Sequence, residues 1–134
     1  MKTALILGIT GKLGRAIAFA LHKEGYEIIG SYHENKPENL DGFRLYPLNI
    51  ESSESVDIFI DKIKDLKIDF FTSTIAKKPI MERFQNINIE RFRKEFDINF
   101  FGNIYFLQKI IPYMNFESNV LFILTEMIEY PEKY

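Results

Sequence analysis

Thr3-Ala4-Leu5-Ile6-Leu7-Gly8-Ile9-Thr10-Gly11-Lys12-Leu13-Gly14-Arg15-Ala16-Ile17-Ala18 is the stretch on which the reading of this chain turns. An apolar run gives way to three glycines at a spacing of three, and an amphipathic helical pattern follows. Strand, glycine turn and helix in that order build a pyrophosphate site. The backbone must pass close to the phosphates, so side chains are absent. The helix N-terminus then offers free N–H groups and a partial positive charge to an anion. Glycines after a strand also make plain tight turns, but the context on both sides favours the phosphate site. No Gly-Lys-Ser/Thr triplet is present, which excludes a P-loop.

Working outward, Thr3–Leu7 reads as a first strand and Lys12–Lys23 as a helix. Ala16, Ile17, Ala20 and Leu21 would form its buried stripe, and Gly25 would stop it. Strands are expected at Glu27–Tyr32 and Phe43–Leu48, separated by a polar loop from His33 to Gly42. Ser52 or Ser53 can cap a helix whose Val56, Phe59, Ile60 and Ile63 share one face. A fourth strand is expected at Ile68–Ile75, an irregular connection from Ala76 to Asn88, a long helix over Ile89–Met114 capped by Asn88, and a fifth strand at Val120–Leu124. This alternation argues for a doubly wound parallel α/β sheet of about five strands in order 3-2-1-4-5, with helices on both faces. The 134 residues form a single domain (1–134), without repeats or linkers.

Bulk properties exclude several classes. The net charge is −2 with scattered lysines, so no nucleic-acid partner is expected. The absence of cysteine excludes disulfides and thiolate metal sites and suits a reducing compartment. The apolar N-terminal run breaks at Gly8-Ile9-Thr10-Gly11-Lys12, too soon for a signal peptide. No stretch approaches the ~18 apolar residues of a membrane span. A cytoplasmic chain with no membrane partner is the expectation. His22 and His33 lie on different elements without metal-ligand spacing, so no metal is expected. No Ser-His-Asp arrangement is present, and Asp57 and Asp61 belong to a solvated helix face.

At the glycine turn the chain resembles the short-chain dehydrogenase/reductase family, whose Rossmann-like fold binds NAD(P). Gly8-x-x-Gly11-x-x-Gly14 is similar to the fingerprint of its extended and atypical branches; another branch prefers Gly-x-x-x-Gly-x-Gly, and Lys12 stands where its middle glycine would be. The resemblance places Gly8, Gly11 and Gly14 at the pyrophosphate, with Thr10, Lys12 and Leu13 between them as further cofactor-binding residues. Leu48-Asn49-Ile50 resembles the segment after strand three that touches adenine, with Asn49 in place of the usual Asp. Ser73-Thr74-Ile75-Ala76 occupies the place of an Asn-Asn-Ala-Gly motif, of which only Ala76 remains, on the ribose side. Phe96-Asp97-Ile98-Asn99-Phe100-Phe101-Gly102 resembles the segment carrying the family's active-site asparagine, which gives that role to Asn99.

Asn99 also stands out on its own, because a mid-helix amide among Ile98, Phe100 and Phe101 needs a hydrogen-bonding partner. It is either a satisfied amide or an asparagine that organises a water in a proton relay. Strand two ends in Ser31-Tyr32-His33, not in an acid that would bind the ribose hydroxyls of NAD. Lys12, His33, Asn35 and Lys36 suit the extra phosphate of NADP, so the expected cofactor is NADP or NAD with a lean to NADP; a solvated loop with incidental charges is the other reading.

The resemblance further implies a Ser after strand five, then a Tyr-x-x-x-Lys pair that donates the proton. Thr125 stands at the Ser position and keeps the hydroxyl. Tyr130 and Lys133 form only Tyr-x-x-Lys, and one residue turns a helix by about 100°. Pro131 also opposes a helix there. The chain is therefore expected to stop short of the catalytic pair and to be catalytically incomplete. It reads as an oxidoreductase domain for a small carbonyl or alcohol, or as a catalytically dead sensor or interaction module. The helix at 89–114 carries Phe96, Phe100, Phe101, Ile104, Leu107, Ile110 and Ile111, more apolar surface than one sheet face needs, so a homo-oligomer through it is expected.

Overall fold

Every residue of Thr3–Leu7 (β1) is buried, because β1 is the middle strand of a five-stranded parallel sheet in order β3-β2-β1-β4-β5. The computed structural model describes residues 1–123. The remaining elements are α1 (Lys12–Lys23), β2 (Glu27–Tyr32), β3 (Arg44–Pro47), α2 (Ser53–Ile63), β4 (Ile68–Ser73), α3 (Ile89–Phe96), a π-helical segment (Asp97–Gly102), α4 (Asn103–Ile110) and β5 (Met114–Leu121). Leu5 aligns with Ile29 of β2 and Phe71 of β4, and Phe71 aligns with Val120 of β5. The expected fold and strand order are therefore present.

Alternation along the strands divides the interior into two cores. Leu5, Leu7, Ile29 and Phe71 face α2 and α4, where they meet Val56, Phe59, Ile60, Ile63, Phe106 and Ile110. Phe106 sits between Phe59 and Phe71, with ring centroids 5.5 and 5.9 Å away. On the opposite face Ala4, Ile6 and Ile28 pack with Ile9, Ala18 of α1 and Leu40. Leu40 thus anchors a loop that its sequence marks as polar. The Ser52 side chain accepts the Ser55 N–H and caps α2, as expected.

Several boundaries differ from the sequence reading. In α1 the buried residues are Gly14 and Ala18, flanked by half-buried Ile17 and Leu21, while Ala16 and Ala20 are exposed. The stripe starts at Gly14 because the backbone itself is the packing surface there. The third strand is shorter at both ends than Phe43–Leu48, and the fourth ends at Ser73, not Ile75. The expected helix 89–114 is not continuous. Its middle widens into the π segment, and Pro112, which lacks an N–H, ends α4 at Ile110 and leads into a 3-10 turn at Ile111–Tyr113. β5 starts at Met114, not Val120. Its pairing with β4 is irregular: Ile68 aligns with Met114 but Phe70 with Asn119.

Asp69 ties three strands together at the end of the sheet opposite the glycine turn. Its Oδ2 accepts the Thr3 N–H at 2.8 Å and its Oδ1 accepts the Asn115 amide at 2.6 Å.

Candidate functional site

The glycine turn is built from the backbone outward. Gly8 adopts φ +77°, and a Cβ on it would lie 2.9 Å from the Thr74 hydroxyl oxygen. Gly14 is buried under the turn, where a Cβ would lie 2.5 Å from the Gly8 carbonyl oxygen. Gly11 differs: the nearest atom to a Cβ there is 3.7 Å away, so its outer side is open to an approaching group.

Two hydroxyl residues that the sequence reading did not single out fix this turn. The Ser31 hydroxyl accepts the Gly8 N–H at 2.9 Å, and the Ser31 carbonyl accepts the Ile9 N–H at 3.0 Å. The Thr74 hydroxyl donates to a fork of two carbonyl oxygens, Leu7 and Gly8, each 3.0 Å away. The available signal is positional: Ser31 stands near the C-terminal end of β2 and Thr74 directly follows β4, the two strands that flank β1.

Behind the turn, α1 begins with no side-chain cap at Gly11 and no acid in its first turn, whereas α2 and α3 are capped by Ser52 and Asn88. A helix leaves its first N–H groups without intrahelical partners, and their partial positive charge is directed at the turn. An open approach over Gly11 and uncapped N–H groups fit a pyrophosphate.

Two clefts open at this edge of the sheet, where the strand order reverses about β1. The first, about 480 Å³, is lined by Gly8, Thr10 and Gly11 together with Ser31, Tyr32, His33, Asn49 and Ile50. The second, about 720 Å³, is lined by Leu13, Asn99, Asn103, Ile104, Phe122 and Ile123. Thr74, Ile75 and Ala76 line both clefts and form the wall between them.

The expected cofactor residues divide accordingly. Gly8, Thr10, Gly11, His33, Asn49 and Ile50 gather in the first cleft, Leu13 in the second, and Ala76 in both. Lys12 is exposed and Gly14 supports the turn from below, so neither lines a cleft. Asn49 also shapes the turn before α2, its Oδ1 accepting the Glu51 N–H. Asn99 has the partner its setting called for. Its Oδ1 accepts the Lys77 N–H at 2.6 Å and its Nδ2 donates to the Lys77 carbonyl at 3.3 Å. Thr125, Tyr130 and Lys133 lie outside the described residues.

The family model described as enoyl-(acyl carrier protein) reductase matches residues 8–128. The chain belongs to the short-chain dehydrogenase/reductase family. Among curated relatives, an uncharacterized oxidoreductase of Staphylococcus haemolyticus is 26% identical over 120 residues, covering 83% of this chain and 52% of the relative. A 3-oxoacyl-(acyl-carrier-protein) reductase of Rickettsia bellii is 31% identical over 119 residues, covering 84% and 48%. The chain thus spans about half the length of these relatives. Among solved structures, a short chain dehydrogenase family protein from Francisella tularensis superposes with TM-score 0.86 at 17% identity, over 99% of this chain and 54% of the other. A putative short-chain dehydrogenase/reductase from Burkholderia multivorans with bound NADP gives TM-score 0.85 at 14% identity, over 99% and 63%.

Family membership directs attention to Tyr-x-x-x-Lys, and the chain contains that spacing at Tyr105–Lys109 of α4, which the sequence reading passed over. Lys109 Nζ lies 5.4 Å from the Tyr105 ring centre and 3.2 Å from an Asp57 carboxylate oxygen on α2. Asp57 foremost holds the Lys109 ammonium above its usual pKa. This pair braces α4 against α2 and lines neither cleft. Among the described residues no group of acids and histidines has metal-binding geometry.

Proposed function

We propose that this chain is the nicotinamide-dinucleotide-binding part of a short-chain oxidoreductase acting on a small carbonyl or alcohol. One observation carries the reading: an uncapped helix N-terminus behind Gly8, Gly11 and Gly14 opens on two clefts that share the Thr74–Ala76 wall. In this reading the turn at Gly8, Thr10 and Gly11 holds the pyrophosphate, with Gly14 supporting it from below and Lys12 and Leu13 beside it at the start of α1, Asn49 and Ile50 border the adenine, and Ala76 borders the ribose. The second cleft takes the nicotinamide half, with Asn99 at its substrate end; the catalytic role proposed for Thr125 rests on its place in the sequence alone. When bound, the nicotinamide supplies hydride exchange. The residues named here bind and orient it.

The lean is to NADP(H). No acid ends β2, and His33 lines the first cleft where a ribose phosphate would approach, with Asn35 and Lys36 close behind it in sequence and Lys12 at the start of α1. The proposed setting is the cytoplasm; no helix among the described residues is long and apolar enough to cross a membrane. The proposed partner is a second copy. Phe96, Phe100, Phe101 and Ile111 are about half exposed along the 89–114 stretch, whereas Phe106 and Ile110 already serve the core.

A second reading, a binding module without turnover, draws on the Tyr130–Lys133 spacing and on the placement of Tyr105 and Lys109 away from the clefts. Oxidation of NADPH and NADH against a panel of aldehydes and ketones separates the two. Steady, substrate-dependent oxidation supports the enzyme. Binding without oxidation across the panel supports the module.

A further inference from the structure

Asn103, the first residue of α4, lines the second cleft without a cofactor contact assigned to it, and it is 8% exposed and heavily engaged. Its Nδ2 donates toward three carbonyl oxygens: Ile75 at 3.3 Å, Ile98 at 3.3 Å and Asn99 at 3.2 Å. Two of these belong to the π segment. The third belongs to the wall between the clefts. Three carbonyls around one end of the amide fix its orientation, since the reverse would set Oδ1 against them.

The other end of the same amide, Oδ1, is buried and has no partner among the described residues. A buried acceptor lacking a donor costs free energy, which the bonds made by Nδ2 must offset. Asn103 ties down Ile75 directly. One turn earlier, Asn99 grips the Lys77 peptide by both its N–H and its carbonyl. Ala76 lies between these two anchors and lines both clefts.

We propose that Asn103 is a positioning residue: acting directly on Ile75, and through Asn99 on Lys77, it holds the wall that joins the two clefts into one groove. The placement of the wall is independent of any ligand; its effect on binding rests on the dinucleotide reading.

The test is amide hydrogen exchange by NMR on the ligand-free chain, comparing the native protein with N103L and N103S. A serine hydroxyl can still bond the carbonyl one turn back but cannot span to Ile75. The expected result is exchange at the Lys77 amide about tenfold faster or more, with the Ile6 and Leu7 amides of β1 unchanged. Native-like protection of Lys77 in a folded variant overturns the proposal. So does acceleration spread equally over β1 and Lys77, and so does loss of the fold in both variants, which would make Asn103 a purely structural residue. In a second readout, the affinity for NADP⁺ falls severalfold relative to 2′-phospho-ADP-ribose, which lacks the nicotinamide half; equal losses for the two overturn the link to the groove. Should neither ligand bind the native chain, the dinucleotide reading fails while the exchange result still decides the role of Asn103.

Discussion

The Thr74 hydroxyl lies 3.0 Å from the carbonyl oxygen of Gly8, so the end of β4 grips the turn that follows β1. The same carbonyl is what a side chain at Gly14 would strike. Thr74, Gly8 and Gly14 therefore form one stack, and its alignment sets the helix N-terminus that faces the first cleft.

Thr74→Val keeps the shape and removes the donor. It should cost about 1 kcal/mol of stability by urea denaturation and weaken dinucleotide binding. Thr74→Ser, which retains the hydroxyl, should restore most of both. Equal behaviour of the valine and serine variants would mean that packing, not the hydroxyl, holds the turn.

Gly14→Ala places a Cβ 2.5 Å from backbone oxygen, a contact only a shift of the turn can relieve. Dinucleotide affinity should fall at least about tenfold, a loss of about 1.4 kcal/mol. Gly25 is the control: its φ is +87° with nothing within 4 Å of a Cβ. Gly25→Ala should lower stability by roughly 1–2 kcal/mol through backbone strain and leave affinity unchanged. Calorimetric titration and thermal melts of both variants check this.

Asp69 titrates below the ordinary 3.8, held there first by the Thr3 N–H and further by the Asn115 amide, with burial opposing. A carboxylate depressed in the folded state contributes stability that is complete above the unfolded pKa and is lost as pH falls through the folded one. Stability measured from pH 6 to pH 2 should therefore fall less steeply in Asp69→Asn than in the native chain. The variant should also be less stable at pH 7. Parallel curves would remove Asp69 from the acid response.

Phe96→Glu combined with Phe101→Glu places charge on the exposed aromatic face, where the two rings are 49% and 58% accessible. Sedimentation should show a dimer for the native chain and a monomer for the variant, with little change in melting temperature. A native monomer at high concentration would remove the second copy from the account.

The best-read part of the chain was the part governed by local rules. β1, α1 and β2 have the expected bounds because apolar runs and glycine breaks are sharp there, and the buried face of α2 follows directly from its spacing. Errors arose where tertiary contacts override local pattern. The stripe of α1 starts at Gly14, a residue without a side chain to mark it. At the π segment Asn103 bonds back to Ile98 and Asn99, and a Cβ on Gly102 would lie 2.9 Å from the Asp97 carbonyl oxygen and 3.1 Å from Ile50, neither of which periodicity reports. β5 was placed late because Asn115, Glu117, Ser118 and Asn119 hide the strand within a pairing irregularity. In the site, the glycines and Asn99 were visible as motif positions. Ser31, Thr74 and Asn103 were not, since their roles exist only once separate strands and helices meet.

Isothermal titration of the 134-residue chain with NADPH, NADP⁺, NADH and NAD⁺ tests the central claim most directly. The account predicts saturable binding at one site per chain, tighter for the phosphorylated pair, and its loss in Gly14→Ala. No heat with any of the four, from a chain that melts cooperatively, would contradict it.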